Sequence, residues 1–224
     1  MELYEVMRTT FAAREFTRDP LPDATLFRIL DHARFAPSGG NRQGFAVVVV
    51  RDAKTRETLA ALTVPAAKRY IAQLQNGESP WNTIDPPRVD AATIERTQPP
   101  ARLTEPLVKA AVVLVVCVDL RVVASTDAEL DRIGIISGAS VYPFVWNILL
   151  AARHEGFGGT ITTLAVAQEP KIRELLGLPP HVAVCAVMPL GRPVRQLTKL
   201  KRKRVPELAM LERWGGPPLT AGVS

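Results

Sequence analysis

The residue types that could do chemistry fall in short, separated stretches. His32, His154 and His181 are too far apart in sequence for metal-ligand spacing, and His154-Glu155 lacks the second histidine of a zinc-protease helix. Gly138-Ala139-Ser140-Val141-Tyr142 misses the closing glycine of a nucleophile elbow and lies in a helical pattern. No GxxxxGK sequence is present to cradle a phosphate. The glycines at 156, 158 and 159 follow a helical stretch rather than the strand that a dinucleotide fingerprint requires. Metal, hydrolase and acid–base readings all weaken. What remains is Arg14 with the residues after it, the turn Ala36-Pro37-Ser38-Gly39-Gly40-Asn41-Arg42-Gln43, the turn Gly156-Phe157-Gly158-Gly159-Thr160, and a basic run near the C-terminus. Each has a plain structural reading too: a surface arginine, a helix-to-strand turn, a helix cap and a solvated tail.

The basic run sets the charge of the whole chain. Against 28 Lys+Arg and 22 Asp+Glu, for a formal net charge of +6, seven bases lie within residues 192–204 with no acid among them. They are Arg192, Arg195, Lys199, Lys201, Arg202, Lys203 and Arg204; without them 21 bases face 22 acids. The body is therefore close to neutral and the surplus is local. A nucleic-acid partner is disfavoured, because the run has no interleaved aromatics on which bases could stack.

The elements that must position these residues follow from periodicity. Residues 21–35 repeat apolar side chains at helical spacing and stop before Ala36-Pro37. Phe45–Val50 is apolar throughout and reads as a strand buried on both faces. Residues 52–62 return to a helical pattern. Residues 62–106 hold seven of the 19 prolines and read as an irregular excursion outside the core, a lid or an arm. Residues 110–118 form a second buried strand. Residues 129–155 form the longest helical stretch, apolar nearly all round, with Pro143 kinking or dividing it. A second subunit is the economical cover for so apolar a helix. A helix over 170–176 and a strand over 182–188 precede the basic arm, which starts at about residue 192. The composition, 47% hydrophobic and 22% charged, belongs to an ordinary globular protein. The longest apolar run, nine residues, is about half a membrane span, and no secretory signal is evident. Cys117 and Cys185, the only cysteines, read as buried thiols of a reduced, cytoplasmic protein.

Three segments taken in order resemble the FMN-dependent nitroreductase family: Arg14-Glu15-Phe16-Thr17 with Asp19-Pro20-Leu21-Pro22, the 36–43 turn, and Gly138-Ala139-Ser140 through Asn147 and Arg153 to the 156–160 turn. The resemblance implies one nitroreductase-like domain over residues 1–224. Its fold class would be α+β, a three-layer α/β/α arrangement with a mixed, mostly antiparallel sheet, in an intertwined homodimer. It also implies FMN as cofactor, NADH or NADPH as electron donor, and a small-molecule acceptor such as a nitroaromatic or a quinone. Arg14 would face the flavin N1 and O2 edge. Ser38, Gly39 and Asn41 would touch the ring, with Gly40 leaving room for a planar substrate. Phe157, Gly158, Gly159 and Thr160 would pass close to N5. Arg202 and Arg204, ahead of Pro206, would bind the phosphate. No side chain is assigned as catalytic, since the flavin carries the hydride. The chain departs from the pattern at Thr10-Phe11-Ala12, where the family has a basic residue and a serine. That departure supports an alternative, a flavin-sequestering protein of the same fold.

Overall fold

The computed structural model describes residues 1–221. Its sheet has four strands in the order β1-β2-β4-β3, and every neighbouring pair is antiparallel. The strands are β1 (Phe45–Val50), β2 (Val112–Asp119), β3 (Gly158–Gly159) and β4 (Val182–Gly191). One isolated parallel bridge, Ala12 to Gly159, is added outside the named strands. Seven α-helices accompany the sheet: α1 (Leu3–Thr9), α2 (Asp23–Ala33), α3 (Ala53–Gln75), α4 (Ala91–Arg96), α5 (Glu105–Lys109), α6 (Tyr142–His154) and α7 (Glu169–Leu176).

β2 explains the layering. Side chains alternate across a strand, and all of Val112 through Cys117 are at most 1% exposed. Val112, Leu114, Val116 and Val118 join a core with Leu26, Ile29 and Ala33 of α2 and Phe144, Val145 and Ile148 of α6. Val113, Val115 and Cys117 join a second core with Leu59 of α3, Leu107 of α5 and Ile172 of α7. Helices therefore cover both faces, giving the three-layer α+β arrangement. Phe45 and Phe144 stack with ring centroids 4.3 Å apart, tying β1 to α6.

Three expectations are corrected. β1 is an edge strand, half-buried rather than buried on both faces, because only β2 pairs with it. The longest helix is α3, 23 residues, which runs through Pro65 and buries Ala66, Ala67, Ile71, Ala72 and Gln73. The first part of the proline-rich region is thus core. A proline inside a helix costs about 3 kcal/mol, comparable to what burying one or two large apolar side chains returns. Leu59 and Ile71 lie on that buried face. Conversely, residues 129–155 are not one helix. α6 spans 13 residues and starts with Pro143 in its first turn, where the missing N–H removes no internal bond. Upstream, the buried Asp127 carboxylate accepts the N–H groups of Ile135 (2.8 Å) and Ile136 (3.3 Å) and a bond from Arg132 (2.8 Å). These bonds hold its pKa below the ordinary carboxylate value, the Ile135 bond foremost. The backbone there is satisfied by a side chain and not by a helix.

Among the described residues, no helix is long and apolar enough to cross a membrane. Burial pushes the Cys117 thiol up to about 11, with the Glu169 charge adding to it. Burial likewise pushes Cys185 up to about 12, followed by Cys117 and Glu169. Both remain protonated and unreactive at neutral pH. A colorimetric thiol reagent should therefore find no fast-reacting group in the native protein and both thiols after denaturation in guanidinium. Fast release from the native protein would show that the strands around these residues open readily.

Candidate functional site

The site is built around β3, which is only two residues long. Just past the end of α6, Gly156 has a φ of +81°, which suits glycine, and the Phe157 N–H bonds the Ala152 carbonyl at 2.7 Å to close the cap. The chain then enters β3 against Leu190 and Gly191 of β4. A Cβ on Gly159 would collide with the Pro189 carbonyl oxygen and the Leu190 side chain, so glycine is what allows this approach. The free edge of β3 takes up the N-terminal segment. Ala12 bridges Gly159, and the Ala13 N–H donates to the Gly159 carbonyl at 2.9 Å. The next residue is Arg14.

The same segment holds the start of the basic arm. Phe16 bridges Pro193, the Thr17 N–H bonds Arg192 O (2.9 Å), and the Val194 N–H bonds Glu15 O (3.0 Å). The Gln196 amide donates to Thr9 O at 2.9 Å. Arg192 itself is committed to structure, paired with Asp19 at 2.9 Å and lying 4.9 Å over the Phe157 ring.

Two hollows meet at Arg14. The first, about 370 Å³, is walled by Thr160, Ile161, Thr162, Thr163 and Leu164 after β3, by Tyr70 and Leu74 of α3, and by Leu103, Leu107 and Pro189. The second, about 470 Å³, is bounded by Phe11, Ala12, Glu15, Glu105, Arg195 and Leu197. Arg14, Arg102 and Pro106 line both. Both hollows mix polar and apolar lining: three threonines and two arginines stand beside the leucines of the first, the slot after β3, and three arginines and two glutamates bound the second. Each falls in the volume range of small-molecule sites. Beside the slot and sharing Tyr70, Thr163 and Leu164 with it lies a further hollow of about 410 Å³. Trp81 lines this one too, with the Arg69 guanidinium 4.0 Å over its ring.

The expected binding residues are placed as follows. Arg14 and Thr160 line the slot. Gly158 and Gly159 form β3 beneath it, and Phe157 is buried in the core with α2 and α6. Ser38, Gly39, Gly40 and Asn41 line neither hollow. Their loop is fixed elsewhere: the Gly39 N–H bonds Ser140 Oγ at 3.1 Å and the Gln43 N–H bonds Ser38 Oγ at 2.9 Å. Arg202 and Arg204 also lie outside the hollows. The Arg202 guanidinium bonds Lys201 O, and Arg204 pairs with Glu207 at 2.9 Å while 82% exposed. Sequence reasoning missed Arg102 and passed over Arg195 within the basic run. Arg102 follows Pro99-Pro100 in a stretch without periodicity, and only the fold brings it to Arg14. Among the described residues, no cluster of His, Cys, Asp and Glu could hold a metal ion.

Comparison with known proteins agrees with this architecture. The Nitroreductase family model matches residues 7–192, and the chain belongs to that family. An NADH dehydrogenase of Thermus thermophilus is 27% identical over 192 residues, 82% of each chain. An iodotyrosine deiodinase structure bound to FMN and 3-iodo-L-tyrosine superposes with a TM-score of 0.68 at 19% identity, covering 95% of this chain and all of that one. The NADPH:FMN oxidoreductase of Vibrio harveyi, complexed with NAD+, gives 0.66 at 23% identity, over 95% of this chain and 77% of its own. These likenesses establish the nitroreductase fold.

If β3 is pressed on β4 as described, Gly159→Ala should destabilise the protein by about 1–3 kcal/mol through overpacking. Gly77→Ala, at φ +70° with nothing within 4 Å of the new methyl, should cost only about 1 kcal/mol. Denaturant unfolding compares the two, and equal losses would show that the contact at Gly159 does not constrain the strand.

Proposed function

We propose that this chain is an FMN-dependent oxidoreductase that uses NADH or NADPH to reduce a small nitroaromatic, quinone or similar acceptor. One observation carries the reading: in a chain of the Nitroreductase family, two hollows of small-molecule size meet at Arg14. The donor set suits a flavin nucleotide, which has a flat apolar ring system, a polar ring edge and a phosphate. When bound, FMN would supply the redox chemistry, taking up a hydride and passing electrons on.

The residues of the chain then have distinct tasks. Leu103, Leu107, Leu164 and Pro189 would exclude water from the ring, and the threonines at 160, 162 and 163 would offer hydroxyl donors and acceptors to its polar atoms. Arg14 would sit at the polar edge, where negative charge accumulates on reduction, and a cation already in place favours the reduced form. Gly158 and Gly159 keep this wall close without side chains. No side chain is asked to act as nucleophile or general acid.

Ser38, Gly39, Gly40 and Asn41 have a role in this reading only if supplied by a second copy of the chain. A homodimer would bring each 38–41 loop to the other protomer's slot. Exposed Tyr4, Ile133, Ile135, Trp146 and Trp214 provide apolar surface to cover. Sedimentation should report twice the 24.5 kDa chain mass. A monomer at micromolar concentration would remove the 38–41 loop from the site.

The purified protein should be yellow or take up added FMN, and NADH or NADPH should bleach it anaerobically. A protein that takes up no FMN would reject the reading. A yellow protein that neither nucleotide reduces would favour the flavin-sequestering alternative. Arg14→Ala should slow reduction by roughly tenfold to a hundredfold, the value of one charge-assisted hydrogen bond. It should also lower the flavin potential, which a redox titration reads.

A further inference from the structure

We infer that the hollow edged by Trp81, beside the slot, takes the part of an acceptor that reaches beyond a single ring, and that Trp81 is the residue that selects for it. The ligand class is an extended planar aromatic, such as a fused two-ring quinone. For the supply of electrons this rests on the flavin reading given above, whereas the binding itself can be measured without turnover.

Size, position and lining point to this class. The hollow measures about 410 Å³ and shares Tyr70, Thr163 and Leu164 with the slot, so a single ligand can lie across both. Apart from Thr163 its lining is apolar or aromatic, with Pro80, Leu164 and Val166 beside the rings of Tyr70 and Trp81. Among the described residues no charged side chain lines it, whereas charged side chains line both hollows at Arg14. The second ring of a neutral acceptor would bury apolar surface there and gain ring-to-ring contact.

Trp81 is held in place against a backbone preference. Its φ of +55° is left-handed, an uncommon state for a bulky residue. Such outliers persist where neighbouring groups fix them, and they cluster at ligand sites. The fixing group is Gln73, in the last turn of α3 and only 2% exposed. Its Oε1 accepts the Trp81 N–H at 3.1 Å, and its Nε2 donates to Glu78 Oε2 at 3.2 Å. Glu78 also accepts from the Asn76 side-chain amide at 2.6 Å and from the Arg88 N–H at 3.3 Å, which ties the turn leading to Trp81 on both sides. Arg69 of α3 lies 4.0 Å over the indole and holds it from above. The ring is therefore ordered before any ligand arrives, which lowers the entropy lost on binding. Trp81 is still 41% exposed, so filling the core does not account for so constrained a tryptophan.

Two quinones that differ by one ring separate this hollow from the slot. Equilibrium dialysis of the oxidised full-length protein, with no nicotinamide nucleotide present, measures binding of 1,4-benzoquinone and 1,4-naphthoquinone. Steady-state assays then follow the reaction of NADH, a proton and the quinone to NAD+ and the hydroquinone. The wild type should favour the two-ring quinone. Trp81→Ala should weaken naphthoquinone binding and raise its KM about threefold to tenfold, the size of one aromatic pair interaction. The changes for benzoquinone and in kcat should be much smaller. Trp81→Phe should restore part of the preference, and Ile84→Ala, at an 84% exposed position of the same loop, should keep it. Trp81→Gly suits the left-handed backbone, so it should unfold at a higher denaturant concentration than Trp81→Ala while losing the preference to the same extent. An unchanged preference in both the alanine and glycine variants, or an equal loss for both quinones, would overturn the assignment. A rise in KM for the nucleotide alone would overturn it too. A preference that depends on Trp81 in a protein taking up no FMN would reject the flavin reading and leave this binding site standing.

Discussion

The contact at Gly159 is the constraint on which the candidate site depends. Because no Cβ intervenes, β3 lies directly on the Pro189–Leu190 backbone, and its other edge is left open for residues 12 and 13. That pairing sets the direction in which Arg14 leaves the chain. It also places residues 15–17 where the chain leaving β4 can bond to them. Three parts of the sequence, near residues 14, 160 and 195, are thereby bound into one wall by a ladder only a few bonds long. Backbone hydrogen bonds are worth about 1 kcal/mol each. The steric freedom at one glycine, more than any single bond, makes the geometry possible.

Much of the fold was legible because its strands are so apolar. The Phe45–Val50 run marks β1 at its observed limits, and the two later runs locate β2 and β4. Hydropathy alone could not tell an edge strand from a central one, since β1 and β2 have similar composition and differ in having one neighbour or two. The helices failed where proline was weighed without its surroundings. Pro65 sits inside α3, held by a buried face, whereas Pro143 starts α6. Residues 129–135 looked helical by composition, but the Asp127 carboxylate, eight residues before Ile135, takes the N–H groups of Ile135 and Ile136. Periodicity has no term for such a side chain.

The candidate site was legible in its turns and much less so in its cations. Arg14 and the 156–160 turn were named through the family resemblance, and the pairing of Ala12 with Gly159 brings them together. Arg102 carries no local signal: its position follows from α3, α5 and the turn after β3 meeting around one slot. The basic run showed the opposite problem, too many candidates for one role. Only its start is tied to the N-terminal segment, through the Val194 N–H to Glu15 O and the Gln196 side-chain amide to Thr9 O. The 38–41 turn was recognised as a unit and lies away from the Arg14 hollows within a single chain.

The closing of this wall by residues 9–17 and 192–196 also orders events in time. These segments lie near opposite ends of the chain, so their bonds span almost its entire length. Contacts of such large sequence separation pay a high loop-closure entropy and form late. On a ribosome, the sheet core of β1 and β2 is complete in sequence long before residue 195 emerges. Until then the N-terminal segment has no partner on its far side. The wall is therefore among the last parts of the molecule to be assembled, and a chain cut short before residue 192 would have both apolar cores and an unfinished wall around Arg14.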